Sequence, residues 1–423
     1  MNQIQRAVAA MASLSVFRGI LSRPVPKAFY RLLQSADGPE HGFFEAWGAF
    51  FSALCEAGGY GGLARCMTGE LLHDENAFSR AAAAGDSHLL PELSAAALRD
   101  LEAVKTAAQI TPRTLLAASS CRAEAELLRL PEWTAGEPVP ELRGSAQQCL
   151  KKLSGFYRRN GCGVYSRYRA FLWRERKICP VVHPDETRLS DLKGYEIQRG
   201  LATRNTEAFL AGLPANNCLL YGDRGTGKSS TVKALLNEYA PEGLRMIEVP
   251  KESLMDFPLL VDRIAPLPMK FIIFIDDLTF SREDDTYASL KAVLEGGLAA
   301  RPENTLIYAT SNRRHLVRET FSEREGDEIH RGDSIQESLS LADRFGLSIS
   351  FTLPGRDQYL QIVRRLAEQR GLSADPEALE TGAEQWAIAR GGRSPRCAKQ
   401  YIRNVEARLG RKASSAGGAK GDT

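Results

Sequence analysis

The chain has 423 residues, 43% of them hydrophobic and 25% charged, with a formal net charge of +3. Such a length suits two or three domains of an ordinary globular protein, and so small a charge argues for neither nucleic acid nor an anionic membrane as partner. The eight cysteines form no C-x-x-C pair. That excludes the usual spacing of a zinc site or a disulfide framework, and a reducing cytoplasm is expected. No apolar run approaches the ~18 residues that a membrane span needs.

Ala7 to Phe17 follows Arg6 and is apolar enough to suggest a signal peptide, but Ser13 and Ser15 interrupt it and Arg18 closes it. An N-terminal helix is expected instead. Residues 1–180 read as a mostly α-helical region without a catalytic signature. Within it, Phe43, Phe44, Trp47, Phe50, Phe51 and Leu54 recur at helical spacing, the pattern of a core-facing stripe. Gly58–Gly62 breaks that helix. A second helix is expected from about Ser94, as N-cap, to Ile110, and Glu132 to Pro140 reads as a connector. From 156 to 177, six aromatics interleave with seven basic residues. Two readings are open for this stretch: a surface that stacks single-stranded nucleic acid, or an amphipathic helix joining two domains. The small overall charge of +3 favours the helix.

Pro180 to Pro184 marks a boundary, and short apolar runs then alternate with helical patterns. Strands are predicted at Asn217–Tyr221, Leu244–Val249, Lys270–Ile275, Asn304–Ala309 and Leu347–Phe351. Nearly continuous apolar runs of this kind belong to a parallel sheet covered by helices on both faces. A five-stranded α/β core over 181–353 is expected, then a helical lid over 354–410 and a disordered Ser/Gly/Ala/Lys tail over 411–423.

Inside the core, Gly222-Asp223-Arg224-Gly225-Thr226-Gly227-Lys228-Ser229 matches the phosphate-loop pattern G-x-x-x-x-G-K-[ST] at every fixed position. Cys218–Tyr221 leads into it as a strand. Val232, Leu235, Leu236 and Tyr239 mark one face of the helix that follows, with Ser230 in its first turn. Glycines let backbone N–H groups surround an anion, the helix N-terminus adds its dipole, and Lys228 adds a point charge. The Ser229 hydroxyl suits Mg²⁺. The run Phe271–Ile275 ends in Asp276-Asp277, where the first acid can hold a metal ion and the second can activate water. The next run ends in Thr310-Ser311-Asn312, whose polar side chains, Asn312 above all, suit sensing of a γ-phosphate.

Together these motifs resemble the AAA+ ATPases over roughly Leu189 to Leu409. The resemblance implies ATP and Mg²⁺ as ligands, with Gly222–Ser229 as Walker A, Asp276-Asp277 as Walker B and Asn312 as sensor 1. It implies that Arg344, in Ala342-Asp343-Arg344-Phe345-Gly346, reaches the ATP of a neighbouring subunit in a homo-oligomer. Arg396, after Ser394 as N-cap and Pro395 as first helical residue, corresponds to sensor 2 better than Arg393 does. Tyr195, in Asp191–Glu196, falls where the family packs near adenine. More narrowly, Gly194–Glu196, Phe274–Phe280, Glu295–Gly297, Ala309–Leu316 and Ser340–Leu347 resemble one bacterial AAA+ family known only as an ATP-binding domain of unknown function.

The implied activity is Mg²⁺-dependent ATP hydrolysis that drives an oligomer to remodel a protein or nucleic-acid target. The alternative is a slow nucleotide-gated switch. Asp277, where most of the family has glutamate, favours the switch, because a ~1 Å misplacement can cost ~10²-fold in rate. A small-molecule kinase would explain the loop but neither the sensors nor the lid. The charged segment 317–338 reads equally as a partner-facing loop and as a solvated insert.

Overall fold

A computed structural model describes residues 1–59, 62–121, 129–279, 290–291, 294, 302–312 and 344–418, with Asp86 and residues 410–418 described by backbone alone. The segments 313–343, which holds the charged loop, and 295–297 lie outside the described residues. The chain forms two compact units: Met1–Tyr168 with Pro266–Met269, and Arg169–Ala265 with Lys270–Thr423.

The first unit is helical among its described residues: α1 (Gln3–Ala12), α2 (Pro24–Ser35), α3 (Glu40–Glu56), α4 (Leu63–Leu72), α5 (Ala77–Ala84), α6 (Pro91–Ala107), α7 (Pro112–Ala118), α8 (Ala146–Asn160) and α9 (Gly163–Arg167). The aromatic stripe of α3 is core, with Phe43, Trp47, Phe50 and Leu54 buried. The stretch read as a connector is packed as well: Trp133 lies 4.9 Å from Trp47, ring to ring, and its Nε1–H donates to the Ile110 carbonyl at 3.1 Å. Helix α6 starts earlier than expected, because Pro91 occupies its first turn, where a missing N–H costs nothing. Ser94 therefore lies inside the helix and caps nothing.

On α6, Asp100 is 1% exposed, and its Oδ2 accepts the N–H groups of Ser15, Val16 and Phe17 at 2.8, 2.7 and 3.0 Å. One carboxylate thus fixes the turn that follows α1.

The second unit is built on a seven-stranded sheet: β1 (Ala170–Arg174), β2 (Lys177–Pro180), β3 (Cys218–Gly222), β4 (Leu244–Glu248), β5 (Lys270–Ile275), β6 (Thr305–Ser311) and β7 (Leu347–Phe351), in the order β2-β1-β4-β5-β6-β3-β7. All pairings are parallel except β1 with β2. The five predicted strands are β3 to β7, displaced by two residues at most. The other two strands correct the expectation for residues 170–180, which join the sheet rather than a helix of the N-terminal region. In β1 the buried residues alternate, Phe171 and Trp173 inward and Arg174 outward, which is strand period. Tyr157, Phe171 and Trp173 are buried, and Arg167, Arg169 and Arg176 are bonded to Glu70, Asn237 and Asp256.

Helices α10 (Glu196–Leu210), α11 (Lys228–Tyr239) and α12 (Phe257–Ile264) accompany the sheet. Every residue of β6 is buried, as are all but the first of β5, which is why their sequences run apolar without alternation. The lid helices α13 (Arg356–Gln369), α14 (Pro376–Ala389) and α15 (Pro395–Gly418) share a core of their own around Tyr359, Val363, Ala383, Ala398 and Ile402. Helix α15 runs through the expected tail as far as Gly418; Arg411-Lys412-Ala413 are good helix formers that continue it.

Asp100→Ala should lower the unfolding free energy by ~2–4 kcal/mol, since it leaves three N–H groups without their acceptor. Denaturant unfolding of wild type and variant measures this; a change below ~1 kcal/mol contradicts it.

Candidate functional site

The phosphate loop begins where β3 stops. Gly222 has φ +128, and a Cβ there would meet the Phe351 carbonyl oxygen at 2.2 Å, so only glycine lets β3 and β7 run this close. Asp223 closes the same junction: its N–H donates to Phe351 O at 2.9 Å and its Oδ2 accepts from Leu353 N at 2.7 Å. These two predicted binding residues do not line the cavity; they hold the loop to the sheet. Arg224, Gly225, Thr226, Gly227, Lys228, Ser229 and Ser230 do line it.

Lys228 is 6% exposed, and burial lowers its pKa against the opposing pull of Asp223, Asp277 and Asp276. Its Nζ donates to Gly222 O and Asp223 O, both at 2.8 Å, and to Asn312 Oδ1 at 3.2 Å. Asn312 Nδ2 in turn donates to Asp277 Oδ1 at 2.5 Å. A single hydrogen-bonded line therefore runs from the loop cation through the amide to the second acid.

The first acid gathers a different set. Asp276 Oδ1 accepts from Ser229 Oγ at 2.6 Å, from Thr310 Oγ1 at 2.5 Å and from Asp277 N at 3.2 Å. Thr310 Oγ1 also accepts from Asp277 N at 3.0 Å. The Ile275↔Ala309 pairing of β5 with β6 sets this geometry, since it brings the next residues, Asp276 and Thr310, side by side. Ser229 and Asp276 offer a hydroxyl and a carboxylate, hard oxygen donors that fit Mg²⁺, which keeps waters and substrate phosphates as its other ligands.

Tyr195, also in the lining, has φ +59 and precedes α10. Its hydroxyl donates to Thr352 O at 2.6 Å, and burial pushes its pKa up to about 12. On the lid side, Leu192 and, from α13, Ile362 and Leu366 line the cavity. The whole cavity encloses about 520 Å³, a volume typical of small-molecule sites.

The two predicted arginines differ in place. Arg396 lines the cavity, and its N–H donates to Gly225 O at 3.1 Å. Arg393 is bound to Glu384, its Nη2 2.8 Å from Oε2, which separates the two as the sequence suggests. Ser394 Oγ accepts from Cys397 N at 3.2 Å, the cap expected of it. Arg344 sits in the turn before β7 and is not among the residues lining the cavity. Glu283 and Asp284, acids downstream of Asp277, lie outside the described residues.

Thr310, Lys193, Arg199 and Lys399 also belong to the lining. Thr310 was legible, being two residues before Asn312 on one strand and so on the same face. Lys193 lies within the Asp191–Glu196 segment already singled out, whereas Arg199 and Lys399 carry no sequence signal, because helix phase and the placement of the lid decide what they face.

Gly222→Ala should therefore destabilise the unit by several kcal/mol, on the order of a buried steric clash. Gly227→Ala meets open space and should cost only the ~1–2 kcal/mol of left-handed backbone at φ +98. Paired thermal unfolding curves test the ranking; equal losses would refute it.

The family described as "protein of unknown function (DUF815)" matches residues 166–409, more than half of the chain and all of the cavity lining. No curated protein matches the chain. Among solved structures, the Thermotoga maritima RuvB Holliday junction branch migration motor is similar at 16% identity, over 52% of this chain and 63% of its own, with a TM-score of 0.35. The chain thus spans less than two thirds of that structure. AMPPCP-bound DnaA from Aquifex aeolicus is similar at 16% identity, over 56% of this chain and 72% of its own, with a TM-score of 0.38. Among the described residues, no helix is long and apolar enough to cross a membrane.

Proposed function

The chain belongs to the DUF815 family of proteins of unknown function, and from that premise we propose that it is an AAA+ type ATPase. In this reading it binds ATP with Mg²⁺ and couples hydrolysis to conformational change in a homo-oligomer that remodels a protein or nucleic-acid target. The observation that carries the proposal is the convergence of Lys228, Ser229, Asp276, Asp277, Asn312 and Arg396 on one cavity. Six cations and three carboxylates line that cavity, a balance that suits a polyanion.

Each residue then has a task. Loop N–H groups and Lys228 hold the β- and γ-phosphates, and Arg396 approaches them from the lid. Bound Mg²⁺ would neutralise phosphate charge beside Ser229 and Asp276. Asp277 orients and deprotonates the attacking water, and Asn312 positions Asp277. Arg344, outside the lining of its own cavity, is assigned to the γ-phosphate of a neighbour.

A second reading rests on Asp277 itself. It has φ +53, where aspartate and asparagine are tolerated better than longer side chains, and Asn312 holds its carboxylate. An acid so constrained suits slow turnover, and hence a nucleotide-gated switch. Steady-state ATPase activity against protein concentration separates the two: activity per subunit rises steeply if assembly completes the site and stays flat for a monomeric switch.

Lys228→Ala should weaken ATP binding roughly 10²-fold or more through the lost charged hydrogen bonds, and the variant should remain folded. Titration with a fluorescent ATP analogue measures this, and unchanged affinity would sink the assignment of the loop.

Arg344→Ala should bind ATP as wild type does and hydrolyse it ~10³-fold more slowly. Mixing it with Lys228→Ala should restore part of the activity, since Arg344 of one subunit then serves the intact loop of another. A full-rate Arg344→Ala, with no gain on mixing, would leave only the monomeric switch.

A further inference from the structure

The lid-side end of the cavity contains a cation without a settled partner. Arg199 lies on α10, one helical turn after Tyr195, and lines the cavity. Its Nη1 is shut off from solvent and has no hydrogen-bond partner among the described residues. Its Nη2 comes only within 3.7 Å of Glu196 Oε1, beyond hydrogen-bond reach. That same carboxylate oxygen has a closer partner in Arg365 of the lid, at 2.6 Å. Arg365 repels Arg199, and burial together with this repulsion lowers the Arg199 pKa despite the pull of Glu196. A buried guanidinium N–H without an acceptor is costly, so a swing of this side chain, 14% exposed, that brings the N–H to an acceptor on a ligand would be favoured.

The surroundings indicate what kind of ligand group that is. A Cβ on Gly194 would meet Ile362 Cδ1 at 2.8 Å, so the 191–199 segment is pressed against α13. Leu192, Ile362 and Leu366 give this end apolar walls that suit a flat ring rather than a phosphate. The other polar side chains of this segment in the lining are engaged already: Asp191 Oδ2 accepts from Arg188 N at 2.9 Å and Oδ1 from Gln369 Nε2 at 3.2 Å, Lys193 Nζ donates to Ser190 O at 2.6 Å, and the Tyr195 hydroxyl donates to Thr352 O. Arg199 offers donors only, so it selects a ring that presents an acceptor.

We propose that Arg199 is the base-reading residue of this site, donating through its guanidinium to a ring acceptor of a purine nucleotide's base. The inference rests on the nucleotide-binding reading and adds the group that holds the base. Letting go of Glu196 loses Arg199 little, because Arg365 keeps that carboxylate paired.

The test compares Arg199→Met with wild type by competition of ATP and of inorganic tripolyphosphate against a fluorescent ATP analogue, both with Mg²⁺. The variant should lose about tenfold or more in ATP affinity and nothing in tripolyphosphate affinity. Its ligand-free unfolding midpoint should hold or rise, since an unpartnered buried donor has been replaced by an apolar side chain of similar length. Should Arg199→Met fail to fold, Arg199→Gln carries the same comparison. Unchanged ATP affinity overturns the proposal, and so does an equal loss for both competitors, which would assign Arg199 to the phosphates or to the fold. A wild-type chain that binds neither compound refutes the nucleotide reading itself.

Discussion

The pocket depends on one carboxylate oxygen. Asp276 Oδ1 receives the Ser229 hydroxyl, the Thr310 hydroxyl and the Asp277 N–H, and these come from the loop helix, the end of β6 and the end of β5. Hydrogen bonds to an ionised acceptor are roughly twice as strong as neutral ones, and more so away from water. The loop helix and the end of β6, distant in sequence from Asp276, are therefore held to the end of β5. This arrangement needs the register of β5 against β6 to be fixed, and burial of both faces of both strands fixes it. A one-residue slip would carry Thr310 away from Asp276 and exchange side chains between two closely packed faces that they no longer fit. The continuous apolar runs and the acidic pair are thus a single device: the first holds the register on which the second depends.

That dependence explains what was legible. Strands buried on both faces show themselves as runs such as Phe271–Ile275, and the phosphate loop shows itself through Gly222 and Gly227, whose φ of +128 and +98 favour glycine. The hairpin of β1 and β2 was hidden for a physical reason. Its turn residues, Glu175 and Arg176, both have positive φ, +50 and +56, where Asn-Gly would be the usual signal. What holds the turn is distant in sequence: Asp256 accepts from Trp173 Nε1 at 3.3 Å and from Arg176 Nε at 3.0 Å, across 83 and 80 residues. Local pattern cannot report a contact of that kind, and the interleaved arginines made the aromatic alternation look like one face of a helix.

Asp277 joins backbone conformation to chemistry. The chain must turn sharply after β5, and it does so with Asp277 at φ +53 while Leu278 N donates back to Thr310 O at 2.7 Å. A glutamate would place its carboxylate one methylene farther out but would fit this backbone less readily. The shorter acid is therefore matched to its turn, and Asn312 supplies the aim that a longer side chain would otherwise provide. Read this way, the departure from the common Asp-Glu pattern is a local compromise between the turn and the reach of the carboxylate.

At the phosphate loop the lid is joined to this assembly through a backbone hydrogen bond. Arg396 N–H donates to Gly225 O at 3.1 Å, and a Cβ on Gly225, at φ +78, would lie 3.1 Å from Arg396 Cβ and from Ser394 Oγ. The first turn of α15 thus rests directly on the phosphate loop, so that even a Cβ on Gly225 would press its neighbours aside. At the far end of the cavity, Arg365 and Gln369 of α13 hold Glu196 and Asp191. Since α13, α14 and α15 share one core, a shift of the loop reaches the lid through α15, and a shift at the far end reaches it through α13. An occupant touching both ends would fix the lid at two points, whereas one touching only the loop would fix it at one. That difference gives a physical basis for the lid to respond to a whole nucleotide and not to phosphate alone.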